Sequence, residues 1–210
     1  MSAQRSVYRS RAARERTSPG RLLLRALLAT GAVLALIAIV AMRVAHNRTS
    51  DGLPLADAAL IREQAREKHL DPALIAAVIY AETKFEPRTS PAGALGLMQL
   101  EPATAQYIAR LSGGYRFTTG DLATPRINLA YGSWYLRYLL DHYEGSELLA
   151  IAAYNAGLAN VDAWAARARA HGGQLTAGEI PFEETRAYVE RVLRAQQEYR
   201  SAYPRALGIT

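Results

Sequence analysis

The sequence predicts an all-α domain, and three observations carry that expectation. No stretch alternates apolar and polar residues for long, and runs of β-branched residues are absent, so the period-2 pattern of a half-buried strand is missing. Apolar residues recur at helical spacing instead. Helix punctuation recurs with them: Asp71-Pro72, Pro102, Pro125 and Ser146 mark starts, while Gly113-Gly114 and Gly157 mark stops.

The chain has 210 residues, enough for one domain with a terminal extension. Residues 1–21 read as a basic cytoplasmic tail. Residues 1–25 hold seven arginines (Arg5, Arg9, Arg11, Arg14, Arg16, Arg21 and Arg25) against Glu15, and this net +6 equals the formal charge of the whole chain. The remainder is therefore neutral, and nucleic-acid binding by the domain has no electrostatic basis. Ala26 to Met42 carries no charge, and with Leu22–Leu24 and a snorkelling Arg25 the apolar span is residues 22–42. That is close to the ~20 residues that cross a bilayer core and longer than the ~7–15 of a signal-peptide core. Arginines before the span and few charges after it set the N-terminus in the cytoplasm. Two readings stand: an uncleaved single-pass anchor in the inner membrane, which the length favours, or a signal peptide cut after Ile39-Val40-Ala41, which leaves the domain free in the periplasm. Residues 43–54, polar and holding Gly52 and Pro54, read as a linker.

From residue 55 to 203 the segments follow one another as helices. Leu55–His69 is amphipathic. Asp71 as N-cap with Pro72 in the first turn opens Ala73–Glu82. Pro102 opens a helix through Leu111. Between about Pro125 and Tyr143, one stripe carries Ile127, Tyr131, Trp134 and Tyr138, and a second carries Gly132, Leu136, Leu139 and Tyr143. A helix apolar on two sides is expected to be sandwiched in the core. Ser146 starts the helix that stops at Ala156-Gly157. Val161–His171 and Glu183–Tyr199 complete the set, the last with Tyr188, Val192, Ala195 and Tyr199 on one face.

The chain has no cysteine, which excludes disulfides, thiol catalysis, cysteine-held metals and lipoprotein anchoring. His46, His69, His142 and His171 show no metal-ligand spacing. No cofactor is expected.

The helix Ala73–Ala81 has no polar face, and Glu82 lies above Ile75, Val78 and Ile79. Its carboxylate is directed at the interior or a cleft, a setting that raises a carboxyl pKa by desolvation. A shift from about 4.3 to about 6 makes a glutamate a general acid near neutral pH. From this helix alone, a glutamate turned to solvent or paired with an arginine is an equal reading.

The residues that follow decide between them. After Glu82 come Thr83, Phe85 and Pro87, then Ser90-Pro-Ala-Gly-Ala-Leu-Gly-Leu-Met-Gln-Leu100 and Pro102-Ala-Thr-Ala105. Downstream stand Asn128-Leu-Ala-Tyr-Gly132, Ala152-Ala-Tyr-Asn-Ala-Gly157 and Ile180-Pro-Phe-Glu-Glu-Thr-Arg-Ala-Tyr-Val189. In these four ordered blocks, from about Asp71 to Tyr199, the chain resembles the lytic transglycosylases of the soluble-lytic-transglycosylase type, whose fold is related to goose-type lysozyme. Thr83 departs from the family's usual serine but keeps the hydroxyl. The resemblance implies a lysozyme-like helical domain with a substrate cleft, acting on peptidoglycan glycan strands in the cell wall.

It further implies Glu82 as the single catalytic residue, and Ser90, Gly96, Met98, Gln99, Tyr154, Asn155 and Tyr188 as substrate-binding residues. The residues themselves give other readings. Gly93 and Gly96 suit a tight backbone and close approach of a sugar ring. Gln99 offers both a donor and an acceptor. Met98 on its own reads as core packing, and the resemblance turns it toward the cleft. Tyr154 reads on its own as a core tyrosine with a wet hydroxyl, whereas the resemblance sets it against Glu82 or substrate. Asn155 serves as a cap as readily as a ligand. Most glycosidases flank the bond with two carboxylates. Glu86, Glu101, Glu183 and Glu184 fall within the cleft-forming blocks but lack the apolar setting of Glu82, and none is evidently positioned to deliver water. The resemblance implies a cofactor-free reaction between N-acetylmuramic acid and N-acetylglucosamine that yields a 1,6-anhydro product. A hydrolytic lysozyme and a non-catalytic glycan-binding module are the rivals. No protein partner is legible.

Overall fold

The computed structural model describes residues 53–209. The expected basic tail, the span 22–42 and all of the linker before Leu53 lie outside these residues. Among the described residues no helix is long and apolar enough to cross a membrane.

The order of elements is α1 (Ala58–Lys68), α2 (Pro72–Thr83), β1 (Arg88–Thr89), β2 (Leu95–Gly96), α3 (Pro102–Ser112), α4 (Pro125–His142), α5 (Glu147–Ala156), α6 (Leu158–Ala170), α7 (Glu183–Ala202) and α8 (Pro204–Leu207), with short 3₁₀ turns at Thr119–Ala123 and Ala177–Glu179. The helices start where their caps predict. Asp71 Oδ1 accepts from the Ala73 N–H at 3.0 Å, and Ser146 Oγ accepts from the Leu149 N–H at 3.4 Å. Gly113, left-handed at φ 81°, closes α3.

Helix α2 is the centre of the domain. Every residue from Ala73 to Ile79 is buried, and the helix packs along α7, whose face of Tyr188, Val192, Ala195 and Tyr199 is buried against it. Helix α5 is buried from Ala150 to Ala153 and packs against α4, α6 and α7. Each wholly buried Leu, Ile or Val here contributes about 1.5–3 kcal/mol.

Two expectations are corrected. Helix α4 is not sandwiched evenly. The stripe with Gly132, Leu136 and Leu139 is buried, as is Tyr143 just past the helix end, whereas Ile127, Tyr131, Trp134 and Tyr138 are half-exposed. The exposed aromatics cover one another instead, Phe117 on Tyr131 with ring centroids 4.4 Å apart and Trp134 on Tyr138 at 5.6 Å. The chain also holds a small antiparallel pair, with Arg88 opposite Gly96 and Thr89 opposite Leu95. Two residues per strand are too few to leave an alternation in the sequence.

Candidate active site

Glu82 stands in the last turn of α2. Immediately beyond it, Lys84 and Phe85 both adopt left-handed backbone, at φ 53° and 67°, which turns the chain sharply into the β1–β2 hairpin. For side chains with a Cβ this conformation carries strain, so neighbours must hold it. Phe85 is buried with its ring 6.2 Å from that of Tyr199, and Thr83 Oγ is within 2.8 Å of the Leu97 carbonyl and 3.1 Å of the Ile79 carbonyl. Arg88 donates to the Glu82 backbone carbonyl at 2.6 Å, and Gln99 Nε2 donates to the carbonyls of Arg88 and Gly96, each at 2.8 Å.

Behind the hairpin, Asn128 acts as a staple. It is wholly buried, its Oδ1 accepts from the Met98 N–H at 2.8 Å, and its Nδ2 donates to the carbonyls of Leu95 (2.9 Å) and Leu122 (3.2 Å). Gly96 lies against it: a Cβ there would meet Asn128 Nδ2 at 2.2 Å. Met98 is wholly buried and fills the notch at Gly132, where a Cβ would meet its sulfur at 2.3 Å. Gly96 and Met98 thus interlock the hairpin with α4. This corrects two expectations: the close approach at Gly96 is that of an asparagine rather than a sugar, and the Met98 side chain packs inward rather than lining a cleft.

The hairpin and the ends of α2 and α5 enclose a groove of about 370 Å³, lined by Glu82, Ser90, Gln99, Tyr154 and Asn155, together with Glu101, Thr104 and Tyr135. Five of the eight sequence-predicted site residues share this groove; Gly96, Met98 and Tyr188 stand behind it. Volume does not single it out, since a recess beside His142 and Tyr143 measures about 770 Å³. The carboxyl of Glu82 does. Burial pushes its pKa up to about 7, against a hydrogen bond from Tyr188 and the charges of Arg191 and Arg88, which favour the ionised form.

Tyr188 donates its phenolic hydrogen to Glu82 Oε1 at 2.7 Å. Among the described residues no hydrogen bond goes to Oε2. Tyr154 donates instead to the Met98 carbonyl at 2.9 Å, so of the two expectations for it, Glu82 or substrate, its place in the groove leaves the second. Burial and the neighbouring Glu82 hold both phenols well above the usual tyrosine range, and each remains a neutral donor. Ser90 Oγ accepts from the Ala94 N–H at 3.0 Å, and Asn155 Oδ1 accepts from Thr185 Oγ at 2.7 Å. Of the other acidic residues in the cleft-forming blocks, Glu101 lines the groove, and it is exposed, without the apolar setting of Glu82. Tyr135, which no motif singles out, lines the groove as well.

A largely buried acid with one oxygen held and one open, in a groove between a helix end and a glycine-rich hairpin, is suited to protonating and deprotonating a bound oxygen. The family model of the transglycosylase SLT domain matches residues 59–176. The chain belongs to this family. The soluble lytic murein transglycosylase of Salmonella typhimurium is 34% identical over 158 residues, which cover 73% of this chain and 24% of that protein. The membrane-bound lytic murein transglycosylase C of Glaesserella parasuis is 30% identical, over 68% of this chain and 45% of that one. Among solved structures, the 70 kDa soluble lytic transglycosylase of Escherichia coli matches with a TM-score of 0.67 and 30% identity, over 72% of this chain and 25% of that one. An inactive glutamate-to-glutamine mutant of the lytic transglycosylase Slt from Pseudomonas aeruginosa matches with a TM-score of 0.64 and 32% identity, over 70% and 24% of the two chains. The fold is therefore the lysozyme-like helical fold expected, and this chain spans about a quarter of the length of its soluble relatives.

Proposed function

We propose that this protein is a peptidoglycan lytic transglycosylase in which Glu82 is the single general acid and base. The observation that carries the reading is the Glu82 carboxyl, raised to about 7 by burial in a groove of about 370 Å³. At neutral pH such a group is divided between acid and base, and one residue serves both halves of a reaction.

Glu82 gives its proton to the glycosidic oxygen between N-acetylmuramic acid and N-acetylglucosamine as that bond breaks. The 2-acetamido group of the muramic residue supports the positive charge at the anomeric carbon. Glu82, now a carboxylate, takes the proton of the C6 hydroxyl as its oxygen bonds to that carbon and closes a 1,6-anhydro ring. Tyr188 holds Oε1 during both transfers. Ser90, Gln99, Tyr154 and Asn155 serve the groove, while Gly96 and Met98 fix its wall from behind. That a relative's structure is of an inactive glutamate-to-glutamine mutant supports the assignment of the chemistry to one carboxyl.

A hydrolytic reading draws support from Glu101 in the same groove. Glu101 is exposed and lacks the buried setting that raises Glu82, which favours the one-carboxylate route. Mass spectrometry of products from purified sacculi separates the two: 1,6-anhydromuropeptides, one water lighter than hydrolytic products, are expected, and reducing-end products would assign a lysozyme.

The same proposal includes the domain arrangement: basic tail 1–21, inner-membrane anchor 22–42, linker 43–54 and periplasmic catalytic domain 55–203. A membrane-bound relative is compatible with it. The full chain is expected to fractionate with the inner membrane, and a mature N-terminus at Met42 or beyond would replace the anchor with a cleaved signal.

A further inference from the structure

Glu101 has no structural task of its own. It occupies the N-cap position of α3, yet its side chain makes no capping hydrogen bond. It is exposed, and among the described residues no salt bridge reaches it. It lines the groove with Thr104 and Gln99 while standing apart from the charges that act on Glu82. An exposed carboxylate on a substrate groove, with no salt bridge among the described residues, is suited to recognising a cation.

The neighbouring polar groups specify what it recognises. The Gln99 amide nitrogen is engaged by two backbone carbonyls, and the Tyr154 hydroxyl by a third. These two donors are thus turned into the protein, which leaves the Gln99 carbonyl oxygen beside the Glu101 carboxylate as acceptors. No arginine or lysine lines the groove, so the Glu101 carboxylate has no countercharge among its lining residues.

We infer that Glu101 makes this groove select glycan strands that carry a primary ammonium group. An ammonium brings a positive charge and three N–H donors to the Glu101 carboxylate and the Gln99 carbonyl oxygen. On a peptidoglycan strand that group has two sources: the side-chain amine of a diamino acid in the stem peptide, or the free amine of a de-N-acetylated glucosamine. The inference rests on the proposed substrate but not on the proposed reaction.

Binding is measured with the full chain carrying Glu82→Gln, so that strands stay intact, and again with Glu101→Gln added. Three soluble strand preparations are compared: peptide-free and fully N-acetylated; peptide-free and partly de-N-acetylated; and N-acetylated with uncross-linked peptides. With Glu101 present, Kd for an amine-bearing strand is expected to be roughly two- to fivefold lower than for the amine-free strand, the size of an exposed ion pair. The preference should vanish with Glu101→Gln, survive Glu101→Asp, reverse with Glu101→Lys and fade at about 0.5 M salt. The preparation that shows it identifies the source. Equal affinities in all three preparations, or a preference indifferent to residue 101, overturn the inference. Wild-type turnover of the amine-free strands is scored separately, and its absence counts against the proposed reaction alone.

Discussion

The two sides of the groove are built by different physics. The helical side is α2 against α7, where Ile75, Val78, Ile79, Val189 and Val192 are all wholly buried and position Glu82 by close packing. The hairpin side, residues 84–101, has short strands and strained turns. It is held by side chains that bond to backbone: Thr83 on Leu97, Arg88 on Glu82, Gln99 on Arg88 and Gly96, Asn128 on Leu95 and Met98, and Tyr154 on Met98. Damage to the first side is paid in stability. Damage to the second releases the wall while much of the domain remains folded.

The largest expected effect belongs to neither side but to the group between them. Glu82→Gln keeps the shape and removes the transferable proton. Acid–base assistance is worth about 10²–10⁴ in rate, and one residue here serves both steps, so a loss at or above the top of that range is expected while sacculus binding persists. Stability gives an independent reading. The folded-state pKa of about 7 exceeds the ordinary 4.5, so the folded form binds the proton more tightly. Glu82 is therefore harmless to stability below pH 4.5, and its ionisation penalises the fold increasingly up to about pH 7. Glu82→Gln should raise Tm more at pH 8 than at pH 5, and an equal effect at both would contradict a buried, raised carboxyl.

Next in size is a matched pair of core substitutions. Ile75→Ala on the helical side opens a cavity and is expected to cost about 2–5 kcal/mol in chemical denaturation. Asn128→Ala leaves the Met98 N–H and the Leu122 carbonyl without their partner, while the Leu95 carbonyl keeps the Leu100 N–H; at about 1–3 kcal/mol per buried unsatisfied group, the cost is comparable. They should part in function. At a temperature where both variants remain folded, Ile75→Ala should keep most of its activity, whereas Asn128→Ala should lose it disproportionately because the wall is no longer stapled. Equal losses would erase the distinction between the two sides.

A smaller effect is expected from Tyr188→Phe, which removes a bond that favours the ionised carboxyl. The Glu82 pKa should rise, and the alkaline limb of the kcat/KM profile, where the acid is lost, should move to higher pH. A limb that stays in place would make Tyr188 a packing residue only.

The same contrast explains what was legible in the sequence. Helix starts at Asp71-Pro72, Pro102, Pro125 and Ser146 are local chemistry, and the unbroken apolar run of α2 directs Glu82 inward through helical geometry alone. Contacts across the chain left no such trace. Gly96 and Met98 sit in a block that reads as substrate-facing, but their partners are Asn128 and Gly132, some thirty residues on. Tyr154 and Tyr188 are each an aromatic on an apolar face. Which phenol reaches Glu82 depends on how α7 packs against both α2 and α5. Glu101 stands among four acidic residues of the cleft-forming blocks, and nothing local in the sequence sets it apart from Glu86, Glu183 and Glu184.

The smallest effect concerns Thr83, where the family usually has serine. The side chain is 2% exposed, with its hydroxyl between the carbonyls of Ile79 and Leu97. The single hydroxyl hydrogen is donated to one of them, and the geometry favours Leu97 at 2.8 Å, the bond that ties the hairpin to the end of α2. Thr83→Ser keeps that donor and removes one methyl from a packed site, so the expected cost is about 1 kcal/mol with little change in activity. Thr83→Val keeps the volume and removes the donor, leaving the buried Leu97 carbonyl without its hydrogen bond, and about 1–3 kcal/mol is expected. If the hydroxyl's task is to hold the wall, kcat/KM should follow the donor and not the methyl: near wild type in Thr83→Ser, reduced in Thr83→Val at equal fraction folded. The opposite order would mean that Thr83 belongs with the packed side of the groove, and that the staples begin only at Arg88.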